Sequence, residues 1–216
     1  MIGSMVLSGN LWSVQGNAAR WTVGDFSWQR LEGWQRKSLH GENQWRFEST
    51  SREVATGGGH LRVTSENAAE MMLRKETIDL KKWPILHWSW KIELPLPEHD
   101  EQSREGDDFA ARVGIIVADG PFFWQTRSIN YVHSSRLPEG SSWANPYSDQ
   151  VQMLVVHDDH TQTKGWQHFT RPVAQDFKRL FNEEIQTIHA VAIMVDTDNR
   201  HGQARTWFGD IYFSDQ

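Results

Sequence analysis

One run of residues constrains this chain more than any other. Residues 85–94 read ILHWSWKIEL. Leu86, Trp88, Trp90, Ile92 and Leu94 fall on one face, and His87, Ser89, Lys91 and Glu93 on the other. A period of two places these sets on opposite sides of a strand, whereas a helix would scatter them around its axis. Residues 109–118 repeat the pattern, with Phe109, Ala111, Val113, Ile115 and Val117 on one face and Arg112, Gly114 and Ile116 on the other. Further strands are predicted over 60–65, 69–78, 126–133, 151–156, 166–170, 189–196 and 204–214, with Gly, Asn and Asp between the runs. Many short antiparallel strands imply an all-β domain, an antiparallel β-sandwich of the jelly-roll type.

One segment departs from this pattern. In residues 172–183, Val173, Phe177, Leu180 and Phe181 form a helical stripe, and Pro172 suits a helix start. The expectation is one short helix, with Asp176 and Lys178 facing outward or toward a helix end. The loop-rich stretches 95–107 and 134–146 interrupt apolar runs without separating different halves, so residues 1–216 read as a single domain.

Composition closes several routes. The absence of cysteine excludes disulfides, thiolate metal sites and a cysteine nucleophile. A net charge of −6 argues against a nucleic-acid partner. No run of about 18 apolar residues exists to form a membrane span. Residues 1–10 do not read as an intact signal peptide. The twelve tryptophans suit both a sandwich core and flat platforms for sugar rings. Trp88, Trp90 and Trp207 have apolar strand neighbours and read as core, whereas Trp124 and Trp143 lie in or beside loops.

The common catalytic motifs are absent: no Gly-x-Gly-x-x-Gly, no Walker loop, no Gly-x-Ser-x-Gly and no His-Glu-x-x-His. Gly57–Gly59 reads as a hairpin turn. His157-Asp158-Asp159-His160 has metal-clamp spacing, but a solvated hairpin loop explains it more simply. Glu98, Glu101 and Glu105 read as a solvated charge run rather than a glycosidase pair.

Two sets of residues carry candidate chemistry. Asp196, Asp198, Asn199 and Asp210 are hard oxygen donors that could hold a structural calcium ion. The alternatives are turn formation and ion pairing. Asp210, in the run 204–214, is expected to share a face with Phe208 and Tyr212. The second set, Asp108, Arg112, Trp124, Asn130, Tyr131, His133, Trp143 and Asn145, offers the aromatic and bidentate polar groups that a sugar site needs. Arg112, alone on an apolar strand, must find a partner, either a carboxylate such as Asp108 or Asp210 or a ligand.

The same segments carry a likeness. GDDFAARVGIIV (106–117), INYVH (129–133), SSWANPY (141–147), GWQHFTRPVAQDFKRLF (165–181), VAIMVDTDN (191–199) and ARTWFGDIYFS (204–214) resemble, in order, a bacterial family termed domain of unknown function 3047. The likeness runs from about Asp25 to Ser214. It departs at Arg200, where the family usually has a small residue or Thr, and at Asn182, where it usually has Gly. It implies export, hence a periplasmic or secreted location. The closing Gly-Asp-Ile run is also similar to the last strand of jelly-roll carbohydrate-binding modules, where an Asp helps hold a structural calcium.

The leading expectation is noncatalytic binding of a glycan or similar polar ligand, with no required cofactor. One alternative is a polysaccharide lyase or hydrolase, with Tyr131 and His133 moving protons and Arg112 neutralising a uronate. The other is a structural or interaction domain in which Arg112 and the acids are buried ion pairs.

Overall fold

The computed structural model describes residues 19–49, 57–118, 126–159 and 165–216. In chain order the strands begin with β1 (Arg20–Gly24), β2 (Trp34–His40), β3 (Gln44–Glu48), β4 (His60–Glu66) and β5 (Ala69–Asp79). They continue with β6 (Ile85–Leu94), β7 (Phe109–Ala118), β8 (Thr126–Ser134), β9 (Ser142–Asn145) and β10 (Ser148–Asp158). After β11 (Gln167–Pro172) comes helix α1 (Val173–Phe181), then β12 (Thr187–Asp196), β13 (Gln203–Phe208) and β14 (Ile211–Ser214).

Two seven-stranded sheets face one another. The second runs β2-β5-β12-β7-β8-β10-β9. In the first, β13 and β14 lie end to end along β6, followed outward by β4 and β1, with β11 also paired to β6 and β3 at the β4 edge. The long strands β4, β5, β6 and β7 alternate between sheets, and β12 and β13 do so again. This is a sandwich of the jelly-roll type, as the alternating runs imply. One pair departs from the antiparallel rule: β8 and β10 run parallel, because the chain crosses through β9 before returning.

The inward faces supply the core. Leu61, Val63, Leu86, Trp88, Trp90 and Phe208 from the first sheet meet Val113, Ile115, Ile129, Tyr131, Val191 and Ile193 from the second. Trp88 and Trp90 are core residues as expected. Trp207 is buried on the other face of its strand, where Lys91 Nζ lies 4.0 Å from the ring centroid and Glu48 accepts its indole N–H at 3.0 Å.

Not every strand carries a period of its own. β2, WQRKSLH, is an edge strand exposed along nearly its whole length, so no apolar alternation is required of it. The predicted strand over 204–214 breaks in two. Gly209 N–H bonds Ser89 O at 3.0 Å, and a Cβ on Gly209 would lie 2.3 Å from Ser89 Oγ. The break shifts the alternation, so Phe208, Ile211 and Phe213 all point inward while Tyr212 stacks outside on His87. Asp210 therefore does not share a face with Phe208 as expected.

Helix α1 falls where the stripe predicts it, with Val173 and Phe177 buried and Asn182 closing it at φ 56°. Asp176 does not face outward. It lies at a helix end, in the first turn, but is buried there, its charge met by Arg171 and by the Tyr131 hydroxyl, which donates to it at 2.9 Å. Two further expectations change. His157 and Asp158 belong to β10 rather than a solvated loop, and Asp158 is buried; His160 lies outside the described residues. Glu101 is 1% exposed and accepts from Ser135 N at 2.6 Å, Ser135 Oγ at 2.8 Å and the Ser134 hydroxyl. Among the described residues, no helix is long and apolar enough to cross a membrane.

A candidate binding groove on the outer face of the second sheet

The outward-facing residues of the central strands in the second sheet enclose a groove of about 440 Å³. Its floor follows from strand parity. Arg112, Gly114 and Ile116 on β7 alternate away from the core, and register sets Gly114 beside Asn130 on β8 and Ala192 on β12. Small residues hold the middle of the floor low, where Gly114 and Ala192 sit side by side, and Ala69 lies beside Asp196 at one end. A Cβ on Gly114 would lie 3.0 Å from Asn130 Oδ1 and 3.4 Å from Ala192 Cβ, so the absence of a side chain there shapes the groove. Met71, Met194, Ile116 and the exposed Leu39 make the rest of the floor apolar.

The other end is polar, built from Asp107, Arg112, Asn145, Tyr147, Asp196, Asp198 and Asn199. Arg112 is only 5% exposed. Its Nε donates to Asp196 Oδ1 at 2.8 Å, and Nη2 donates to the other Asp196 oxygen and to Asp107 O at 2.7 Å. The Phe109 ring lies 4.3 Å from the guanidinium carbon. Burial, with Asp107 and Asp108 nearby, pushes the Asp196 carboxyl up to about 8 even against Arg112. Asn145 Nδ2 donates to both Asp107 oxygens at 3.0 and 3.1 Å, and its Oδ1 accepts from Tyr147 N at 3.0 Å.

Among the described residues Tyr147 is the aromatic ring of this lining, and it is 56% exposed. It is nevertheless held. Its hydroxyl donates to Arg104 O at 3.0 Å and accepts from Asn199 Nδ2 at 3.3 Å, while the Arg104 guanidinium lies 5.2 Å from the ring centroid. Tyr147 is not among the residues expected from the sequence to bind, although SSWANPY places it two residues after Asn145.

The predicted ligand set divides across the sheet. Arg112, Asn130 and Asn145 line the groove. Asp108 does not; it is fully buried, accepting N–H groups from Asn199 at 3.1 Å and Arg200 at 2.8 Å, and so fastens the 197–200 turn to β7. Burial raises its pKa from the ordinary aspartate value, against the pull of those two N–H groups. Tyr131 and His133 point to the inner face. Tyr131 is fully buried against Trp88, and His133 is buried beside His157, with its Nε2 3.1 Å from Asp159 Oδ1. The cause is the two-residue period: Asn130 and Tyr131 are neighbours on one strand and must face opposite ways. The lyase constellation of Arg112, Tyr131 and His133 is thereby split by the sheet itself. Trp143 packs with Phe109, Val132, Met153 and Val155 in a small apolar cluster, its ring stacked on Phe109 with centroids 6.3 Å apart. Trp124 lies outside the described residues.

The predicted cation donors also divide. Asp108, Asp196 and Asp198 each bring an oxygen within 4.8 Å of the others. Both Asp196 oxygens already accept from Arg112, and both Asp108 oxygens accept backbone N–H groups. Asn199 spends its amide on Arg104 O and Tyr147 Oη. Asp210 stands elsewhere, accepting from Ser27 N and Oγ, each at 2.7 Å.

The family described as "Protein of unknown function (DUF3047)" matches residues 32–212. The chain belongs to that family. The match covers every strand of the groove floor and the whole of its polar end. Comparison with curated proteins found no match. Among solved structures, the chain is similar to the family 11 carbohydrate-binding module of the cellulosomal cellulase Lic26A-Cel5E of Clostridium thermocellum, at 10% identity, 93% coverage of this chain, 97% of that chain and a TM-score of 0.48. It is also similar to the xyloglucanase domain of NopAA from Sinorhizobium fredii, solved with cellobiose, at 10% identity, 94% and 100% coverage and a TM-score of 0.46.

Proposed function

We propose that this domain binds a glycan, or a similarly polyhydroxylated ligand, along the outer-face groove without altering it chemically. The observation that carries the reading is Tyr147: an exposed ring, locked through its hydroxyl, standing at the polar end of an open groove. A ring already held in place binds a sugar face without losing rotamer freedom at that moment. Around it, Asn130, Ser128, Asp198 and Asn199 offer both donors and acceptors to hydroxyl groups. The apolar floor of Met71, Met194 and Ile116 suits the C–H faces of a pyranose. With this reading goes a periplasmic or secreted location, where polysaccharides are met.

The test is a glycan array followed by calorimetric titration of the wild type and Tyr147→Ala. A positive glycan should bind Tyr147→Ala at least tenfold more weakly, with an unchanged thermal midpoint. Silence across the array, or equal affinity of the two proteins, rejects the reading.

A further inference from the structure

We infer that the groove takes uncharged glycan chains and discriminates against uronate-bearing ones. The inference rests on the glycan reading and narrows its ligand class.

Arg112 supplies the groove lining with its one Lys or Arg side chain among the described residues. An arginine at a sugar site ordinarily reads carboxylates through its paired N–H groups. Here three of its five N–H groups are engaged internally. Asp196 takes Nε and Nη2, Asp107 O takes Nη2 again, and an Asp107 carboxylate oxygen lies 3.6 Å away. The guanidinium is also covered, with 5% of its residue surface exposed and the Phe109 ring against it. A ligand carboxylate therefore meets a cation already neutralised and withdrawn from solvent.

The remaining ionic groups of the lining carry the opposite sign. Asp107, Asp196 and Asp198 face the groove with Arg112 as their only lining counter-charge among the described residues. Even with Asp196 holding a proton, Asp107 and Asp198 remain against one guanidinium. Arg104 is engaged with Pro146 O at 3.0 Å and with the Tyr147 ring, and does not line the groove. A ligand carboxylate about 6 Å from one uncompensated charge, in a half-wet site, is disfavoured roughly tenfold. Hydroxyl groups meet no such opposition, because carboxylates and amides accept from and donate to them equally well.

The experiment measures binding of cello-, manno- and β-1,4-galacto-oligosaccharides, each in its neutral form and with C6 oxidised to carboxylate. At about 20 mM salt the carboxylated form of any bound chain should bind at least tenfold more weakly than the neutral form. Raising the salt to about 500 mM should narrow the gap, since screening weakens repulsion between partly exposed charges. Asp198→Asn should narrow it at low salt as well. Equal or tighter binding of a carboxylated chain overturns the inference while leaving glycan binding standing. Binding of neither form of any chain removes the glycan reading, and the selectivity with it.

Discussion

Arg112 and Asp196, on adjacent strands β7 and β12, form a buried bidentate pair at the polar end of the groove. Removing Arg112 strips two hydrogen bonds from Asp196 and leaves Asp107 and Asp108 without their shared counter-charge in a site with little water. Arg112→Ala is expected to destabilise the domain by about 3–5 kcal/mol. The double variant Arg112→Met, Asp196→Leu should recover most of that loss, because neither charge then needs desolvation. Urea unfolding midpoints check both. An Arg112→Ala protein within about 1 kcal/mol of wild type would show that the pair is not a structural clamp.

His157 should set an acid limb in stability. Burial, helped by the neighbouring His133, lowers its pKa to about 4, and its Nδ1 accepts the Trp90 indole N–H at 3.3 Å. The folded chain thus binds fewer protons than the unfolded chain, where His titrates near 6.5. The stability involved is complete above about pH 6.5 and is lost as pH falls toward 4. His157 is partly exposed, so about 1–2 kcal/mol is the expected scale after allowing for solvent screening. His157→Gln should remove this acid-side loss from the melting-temperature profile between pH 6.5 and 4, together with any change in Trp90 fluorescence over that range.

Asp196 should act in the opposite direction at higher pH. Its folded pKa of about 8 lies far above that of an unfolded aspartate. The native state holds the extra proton between these two values, so the associated stability is complete below about pH 4, is lost progressively as pH rises, and is gone above about 8. Between about pH 6.5 and 8 the melting temperature should fall and then level off, and Asp196→Asn should remove most of that slope. A flat wild-type profile over this range would contradict the assignment.

Tyr131 serves the core rather than the groove. Its hydroxyl donates to Asp176 at 2.9 Å, tying β8 to helix α1, and Arg171 holds the same carboxylate. Tyr131→Phe should cost about 1–2 kcal/mol and leave ligand affinity unchanged. Paired unfolding and titration measurements separate the two effects. A loss of affinity without a loss of stability would return Tyr131 to the binding site.

Gly114 decides the depth of the groove. A side chain there meets Asn130 Oδ1 and Ala192 Cβ at once. Gly114→Leu should reduce ligand affinity at least tenfold, with a stability cost of about 1–3 kcal/mol. Gly114→Ala should show a smaller fraction of each. Unchanged affinity in the folded Leu variant would place the ligand elsewhere.

Local alternation determined the strands and the class of fold. β6 and β7 begin and end where their period-two patterns do, and the stripe of Val173, Phe177, Leu180 and Phe181 predicts the helix. These patterns are legible because an element with one buried face writes its period into its own residues. The same parity bears on the site. Asn130 and Tyr131 are adjacent on one strand, so alternation alone keeps them from lining a common groove.

The partners of the charged residues were decided only by tertiary structure. Whether Arg112 met Asp108, Asp196, Asp210 or a ligand depended on the register between β7 and β12, which local sequence does not encode. Glu101 reads as a solvated charge in sequence, yet three donors from residues 134 and 135 enclose it. Tyr147 reads as one more loop residue, yet the Arg104 carbonyl, 43 positions earlier, holds its hydroxyl. The sequence by itself determined which face of a regular strand such as β6 would be buried, but not where a break or register shift moves the period, as at Gly209 and Phe109. It did not determine which charges would meet. Arg112 and Asp196 stand 84 positions apart, and such contacts exist only once distant strands have paired in register.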